Sequence, residues 1–152
     1  MCAVDSFHHT SLSVSDLDRS IGFYEGTIGL RVLMTQEKRG GYMALVTGYP
    51  NAHVRMAHLA FDDLGHRLEL FQYLQPIGRQ SPPEPKDIGI THVCFVVREL
   101  QAMYERMRDA GVSTYSGPIE LESGVNKGGL CLYLRDPDGI TIELFQPAAA
   151  PS

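Results

Sequence analysis

Cysteine is scarce in this 152-residue chain: Cys2, Cys94 and Cys131 are the three present, and an odd number cannot all pair internally. A chain this long buries roughly 70% of its unfolded surface and needs no disulfide to hold it. Cys94 and Cys131 fall in apolar, strand-like stretches, so buried free thiols in a reducing compartment are the expectation. Long apolar runs are absent too; Val93 to Val97 is far short of a bilayer span, which argues against a membrane protein. Met1 to Ser6 shows no basic stretch followed by an apolar one, so a cytoplasmic protein is expected. Basic residues are not gathered: Lys38-Arg39 is the densest group, and the formal charge is -5, which excludes a phosphate track for nucleic acid. No GxxxxGK[ST] pattern occurs, so Gly40-Gly41 and Gly128-Gly129 read as bends or rims of a cavity, not phosphate loops.

What is present is a twofold internal repeat. His9-Thr-Ser-Leu-Ser-Val14 runs into Ser15-Asp16-Leu17, and His92-Val-Cys-Phe-Val-Val97 runs into Arg98-Glu99-Leu100. Each is a short alternating strand leading directly into a helix. Asp16 is a capping candidate for the first helix, whose stripe is Leu17, Ile21 and Tyr24 and whose end is Gly26 to Gly29. Leu100, Met103, Met107 and Ala110 form the stripe of the second, with Gly111 at its C-terminus.

The far ends of the two halves also match. Asp62-Asp63-Leu64-Gly65 precedes His66-Arg-Leu-Glu69-Leu-Phe-Gln72, and Asp136-Pro137-Asp138-Gly139 precedes Ile140-Thr-Ile-Glu143-Leu-Phe-Gln146, at a constant offset of 74 residues. The histidine strands lie 83 apart, so the second half is nine residues shorter, with the difference placed around Gly40 and the Gly48 to His53 loop. Each turn joins a hairpin: Val54 to Phe61 with His66 to Tyr73, and Leu130 to Arg135 with Ile140 to Phe145. An earlier strand is expected around Arg31 to Thr35 or Tyr42 to Thr47, while Ser113 to Gly129 carries weak strand signal. The fold class is therefore α+β: a first βαβββ module over 6–75, a proline-rich linker over 76–89 and a second βαβββ module over 90–147.

Strand period places the chemistry. His9, Ser11 and Ser13 share one face, opposite Thr10, Leu12 and Val14; His92, Cys94 and Val96 lie opposite Val93, Phe95 and Val97. Glu69 shares a face with Arg67, Phe71 and Tyr73, and Glu143 with Thr141 and Phe145. A mid-strand carboxylate between large apolar neighbours is costly without a partner, and a cation removes that cost. His9, Glu69, His92 and Glu143 together form a ligand set suited to a divalent metal ion, with positions left for water or substrate. His8 should point to the opposite face in a structural role, and His53, His58 and His66 lie in or near the first hairpin, His58 being the one placed to touch substrate. Cys94 reads as a small filler beside the site.

The stretches HTSLSVSDLDRSIGFYEGTIGL from His9, RLELFQY from Arg67, ITHVCFVV from Ile90 and DPDGITIELFQP from Asp136 resemble the vicinal-oxygen-chelate superfamily, which contains glyoxalase I, methylmalonyl-CoA epimerase, extradiol dioxygenases and bleomycin- or fosfomycin-resistance proteins. The resemblance implies a curved eight-stranded mixed sheet around one metal, with His9, Glu69, His92 and Glu143 as ligands in the pattern of bacterial glyoxalase I. It also implies a lactoylglutathione lyase-like lyase or isomerase in which a glutamate (Glu143, partnered by Glu69) moves a proton next to a metal-bound carbonyl. The ion would be Ni, Co, Zn, Mn or Fe, the substrate a small molecule with vicinal oxygens, and the assembly a homodimer. Alternatives within the superfamily are an acyl-CoA epimerase, an extradiol-type dioxygenase, or a metal-free binding or resistance protein. Glu69 as a fourth ligand weighs against ring cleavage, and the tight DPDG turn against the epimerase.

Overall fold

Each half of the chain closes on itself through a parallel pairing of its first and last strands. The computed structural model describes residues 5–62, 65–79 and 84–149; Cys2, the turn residues Asp63 and Leu64, and linker residues 80–83 lie outside them. The contacts divide the chain into two compact units, Met1–Gln80 and Ser81–Ser152. The first holds β1 (His9–Ser13), α1 (Leu17–Phe23), β2 (Arg31–Arg39), α2 (Tyr42–Thr47), β3 (His53–Ala60) and β4 (Arg67–Gln75). The second holds β5 (Val93–Val96), α3 (Leu100–Asp109), β6 (Ile119–Glu120), β7 (Leu130–Arg135) and β8 (Thr141–Gln146). The eight strands form two four-stranded mixed sheets, ordered β1-β4-β3-β2 and β5-β8-β7-β6, one in each module of the α+β fold expected.

The alternating strands sort by polarity as their sequence requires. In β1 the face of His9, Ser11 and Ser13 is exposed, while Leu12 is buried and Val14 continues the buried row. The buried row joins Leu68 and Leu70 of β4 and Ala57 and Leu59 of β3 beneath α1, which contributes Leu17 and is followed by the fully buried Tyr24. Removing a leucine such as Leu70 from water contributes roughly 2 kcal/mol, and α1 supplies the cover on one face only. In the second unit α3 packs on β8, burying Leu100 and Met107 over Ile142 and Leu144.

Helix termini carry the clearest explanation of the repeated Leu-Phe-Gln. Asp16 caps α1 by accepting from the Arg19 backbone N–H at 3.0 Å, and Gln72 Oε1 accepts from the Leu17 N–H at 3.2 Å. In the second unit Glu99, the counterpart of Asp16, lies in the left-handed region at φ 55 and supplies no side-chain cap. Gln146 Oε1 takes its place, accepting from the Leu100 N–H at 2.6 Å. Each glutamine thus ties the last strand of its module to the start of the helix that follows the first strand. A π-helical turn over Tyr24–Ile28 extends α1 to Gly29, whose φ of 86 closes it.

Two expectations are corrected. Tyr42–Thr47 is a helix, not a strand; β2 occupies Arg31–Arg39, and α2 lies where the first half is nine residues longer. Its apolar run could have served either state, and glycines at positive φ on both sides, Gly41 and Gly48, fold it back as one short helical turn. Cys94 is exposed and Cys131 half-buried, so neither is a core thiol; the strand face that bears Cys94 is the uncovered one.

Replacing Gln146 by alanine is expected to lower stability by about 1 kcal/mol, within the range for losing a helix cap. The measurement is the urea midpoint, with Gln101→Ala on the exposed side of α3 as the reference that stays nearly unchanged.

Candidate functional site

Parallel register brings residues far apart in sequence side by side. Ser11 pairs with Glu69 across β1 and β4, and Cys94 with Glu143 across β5 and β8. Both glutamates therefore stand on interior strands, on the face the helices leave uncovered. In the first unit His9 Nε2 lies 3.6 Å from Glu69 Oε2. In the second His92, one residue before β5, places Nε2 3.0 Å from Glu143 Oε2. The four residues singled out from the repeat thus form two His–Glu pairs, one per unit. Among the described residues no group of three or more His, Cys, Asp or Glu side chains is arranged to hold a metal ion.

The surroundings of the two carboxylates differ. Glu69 is 9% exposed, and a carboxylate that deep would cost several kcal/mol if unpaired. His58 answers this from β3, directly opposite in register, with Nε2 3.1 Å from Glu69 Oε1. The His58 ring stacks on His9 at 5.9 Å between centroids, and its Nδ1 is buried without a hydrogen-bond partner among the described residues. His8 is not on the far face as expected: it precedes β1, its Nδ1 lies 2.7 Å from His9 Nδ1, and its ring contacts His58. His66 bonds to Thr10 and His53 to Glu37, both outside this cluster.

Around Glu143 the partners are thiols and a phenol. The Cys131 thiol donates to Glu143 Oε1 at 3.2 Å. Burial, reinforced by that hydrogen bond and the carboxylate charge, pushes Cys131 up to about 12. Partial burial, with the Glu143 charge adding to it, raises Cys94 to about 11. Both sulfurs stay protonated at neutral pH, so they act as weak donors to the carboxylate and not as nucleophiles. Tyr133 stands opposite Glu143 in register, its ring 5.2 Å from that of His92, and burial raises its phenol above the usual value.

Sequence reasoning found the strand face and singled out His58 as the histidine placed to touch substrate, but it could not set His58 opposite Glu69, and it missed Tyr133. Which residue of the neighbouring strand lies opposite each glutamate depends on hairpin register, and a one-residue change in turn length moves it.

The chemistry of the donors fits a divalent ion as far as each pair goes. Imidazole nitrogen and carboxylate oxygen bound about 2.0–2.2 Å from one ion stand roughly 3 Å apart, close to the separations in both pairs.

A groove of about 590 Å³ opens beside His9 and Glu69 within the first unit. No helix among the described residues is long and apolar enough to cross a membrane.

Comparison with known proteins agrees with this architecture. The chain is 31% identical over 149 residues to a 2-epi-5-epi-valiolone epimerase from an Actinomyces species, covering 95% of this chain and 81% of that protein. It is 30% identical over 146 residues to a lactoylglutathione lyase of Haemophilus influenzae, covering 95% and 94%. In structure it resembles a glyoxalase family protein from Bacillus cereus, with a TM-score of 0.86 at 24% identity and 97% of each chain covered, a likeness of fold. A sequence model of the Glyoxalase/Bleomycin resistance protein/Dioxygenase superfamily matches residues 6–144, and the chain belongs to that superfamily.

Proposed function

We propose that this protein is a divalent-metal-dependent isomerase or lyase that moves a proton beside a substrate carbonyl. The observation that carries the reading is the His–Glu pair at matched strand positions in each module, 3.6 Å in one and 3.0 Å in the other. His9, Glu69, His92 and Glu143 would hold the ion, two donors from each module. When bound, the ion supplies a positive centre for the oxygens of the ionised substrate. Relatives at about this similarity carry both lyase and epimerase names, and the reading is one of reaction class.

Glu143 is the base in this scheme. A general base has to leave its resting hydrogen bonds to reach a carbon-bound proton and then return it. Beyond His92, the partners of Glu143 are protonated thiols, which hold a carboxylate weakly. Glu69, in contrast, has an imidazole at each oxygen, His9 near Oε2 and His58 on Oε1. Its part is to stay in place: His58 fixes the carboxylate, and Glu69 in turn orients His9.

Glu143→Gln is expected to lower kcat for solvent-deuterium exchange at the carbon beside the carbonyl by about 10²–10⁴-fold, with KM changed little. Glu69→Gln should act mainly through reduced metal content. The opposite ranking, read in D₂O by NMR on a panel of α-hydroxy carbonyl compounds, would transfer the base role to Glu69.

Elemental analysis after loading and dialysis tests the shared ion. His9→Ala and His92→Ala should each bring bound metal close to zero. Half the metal surviving in each would mean two independent sites and would sink the four-ligand scheme.

A further inference from the structure

The groove of the first module has a chemistry that says what part of a substrate it takes. At one end are His9 and Glu69, with the Ser11 and Ser13 hydroxyls following along β1. The walls beyond are Met43, Val46, Met56 and Phe71, with Tyr42 and Tyr73 adding phenols at the rim. Met43, Met56 and Phe71 belong to one buried apolar cluster with Ala52 and Val54, and Tyr73 packs against it. Burial raises the Tyr73 phenol above its usual value, so it is a neutral donor.

No lysine or arginine lines the groove among the described residues. Arg55 is held by Asp18 in two bonds of 2.9 and 2.8 Å, and Arg39 bonds to His53. Lys38, in register with Val54, and Arg67, in register with His9, stand outside the lining. A carboxylate or phosphate seated against these walls would be desolvated without a counter-charge and would face Glu69 as well.

The wall is built by α2, which occupies the stretch by which the first module exceeds the second. It sends Met43 into the cluster, at 4% exposure, and leaves Val46 at the mouth, at 77%. In the second module the corresponding chain turns back between Leu121 and Gly129 through backbone hydrogen bonds. The groove is therefore not a by-product of the repeat.

We infer that this groove binds the uncharged, apolar body of the substrate, an aromatic ring or branched chain attached directly to a carbon that bears one of the vicinal oxygens, and that α2 selects it over anionic tripeptide-thiol or nucleotide-thioester conjugates. The inference rests on the proton-transfer reading only in placing the reacting oxygens at the Glu69 end. The volume lies within the range of small-molecule pockets.

The test uses the full, zinc-loaded chain with ¹³C-labelled methionine methyls. Adding 2-hydroxyacetophenone, an uncharged aryl hydroxyketone, should move the Met43 and Met56 methyl resonances saturably and leave Met103 and Met107 unmoved. S-lactoylglutathione, a stable anionic glutathione adduct without an aryl ring, should leave all four in place at the same concentration. Val46→Lys, at an exposed position that tolerates the change, should shift the affinity ratio toward the anion phenylglyoxylate by about fivefold or more. The inference is overturned if the glutathione adduct moves Met43 and Met56 with equal or higher affinity, or if the hydroxyketone moves neither at millimolar concentration. Methyl shifts without proton exchange would uphold the groove assignment and sink the reaction class. Exchange without methyl shifts would do the reverse.

Discussion

The parallel contact between the first and last strand of each module organises the protein. A parallel pair needs a crossover between its members, and in each module the crossover carries a helix that lands on one face of the sheet. That face fills with Leu12, Leu68 and Leu70 in one module and with Phe95, Ile142 and Leu144 in the other. The opposite face is left for His9 and Glu69, and for His92 and Glu143. Gln72 and Gln146 lock the arrangement by giving the interior strand a hydrogen bond to the first backbone N–H of the helix. The same pairing that encloses the core therefore also assembles the polar pairs.

Once the backbone is duplicated, side chains on the neighbouring strands set the two halves apart. His58 faces Glu69 and Tyr133 faces Glu143, so one carboxylate has two imidazoles as partners and the other has one imidazole and thiols. Arg67 in the first module is matched by Thr141 in the second, where the hydroxyl lies 3.3 Å from the Tyr115 phenol. The insertion of α2 adds a groove on the first side. The repeat supplies matched backbone positions, and the neighbouring strands give the two carboxylates different partners.

Much of this was legible in the residue pattern. Alternation in His9–Val14 and His92–Val97 assigns each residue to a face because strand side chains have a period of two. The matched Asp–Gly turns and Leu-Phe-Gln segments mark equivalent strands. Tyr42–Thr47 was not legible, because a short apolar run lacks a period and its state was decided by the glycines around it. Cys94 looked like core for a related reason: a mid-strand cysteine among apolar residues does not show whether its face is covered.

The sequence by itself determined the family, the two-module organisation, the strand faces and the presence of one histidine and one glutamate at matched positions in each half. These depend on local period and on repetition, which a linear string records. Tertiary structure alone decided that His58 grips Glu69, that the thiols lie at Glu143, that glutamine caps each helix and that α2 lines a groove. Those facts depend on hairpin register and on which face a helix covers, both set by packing between segments roughly ten to sixty residues apart in the chain.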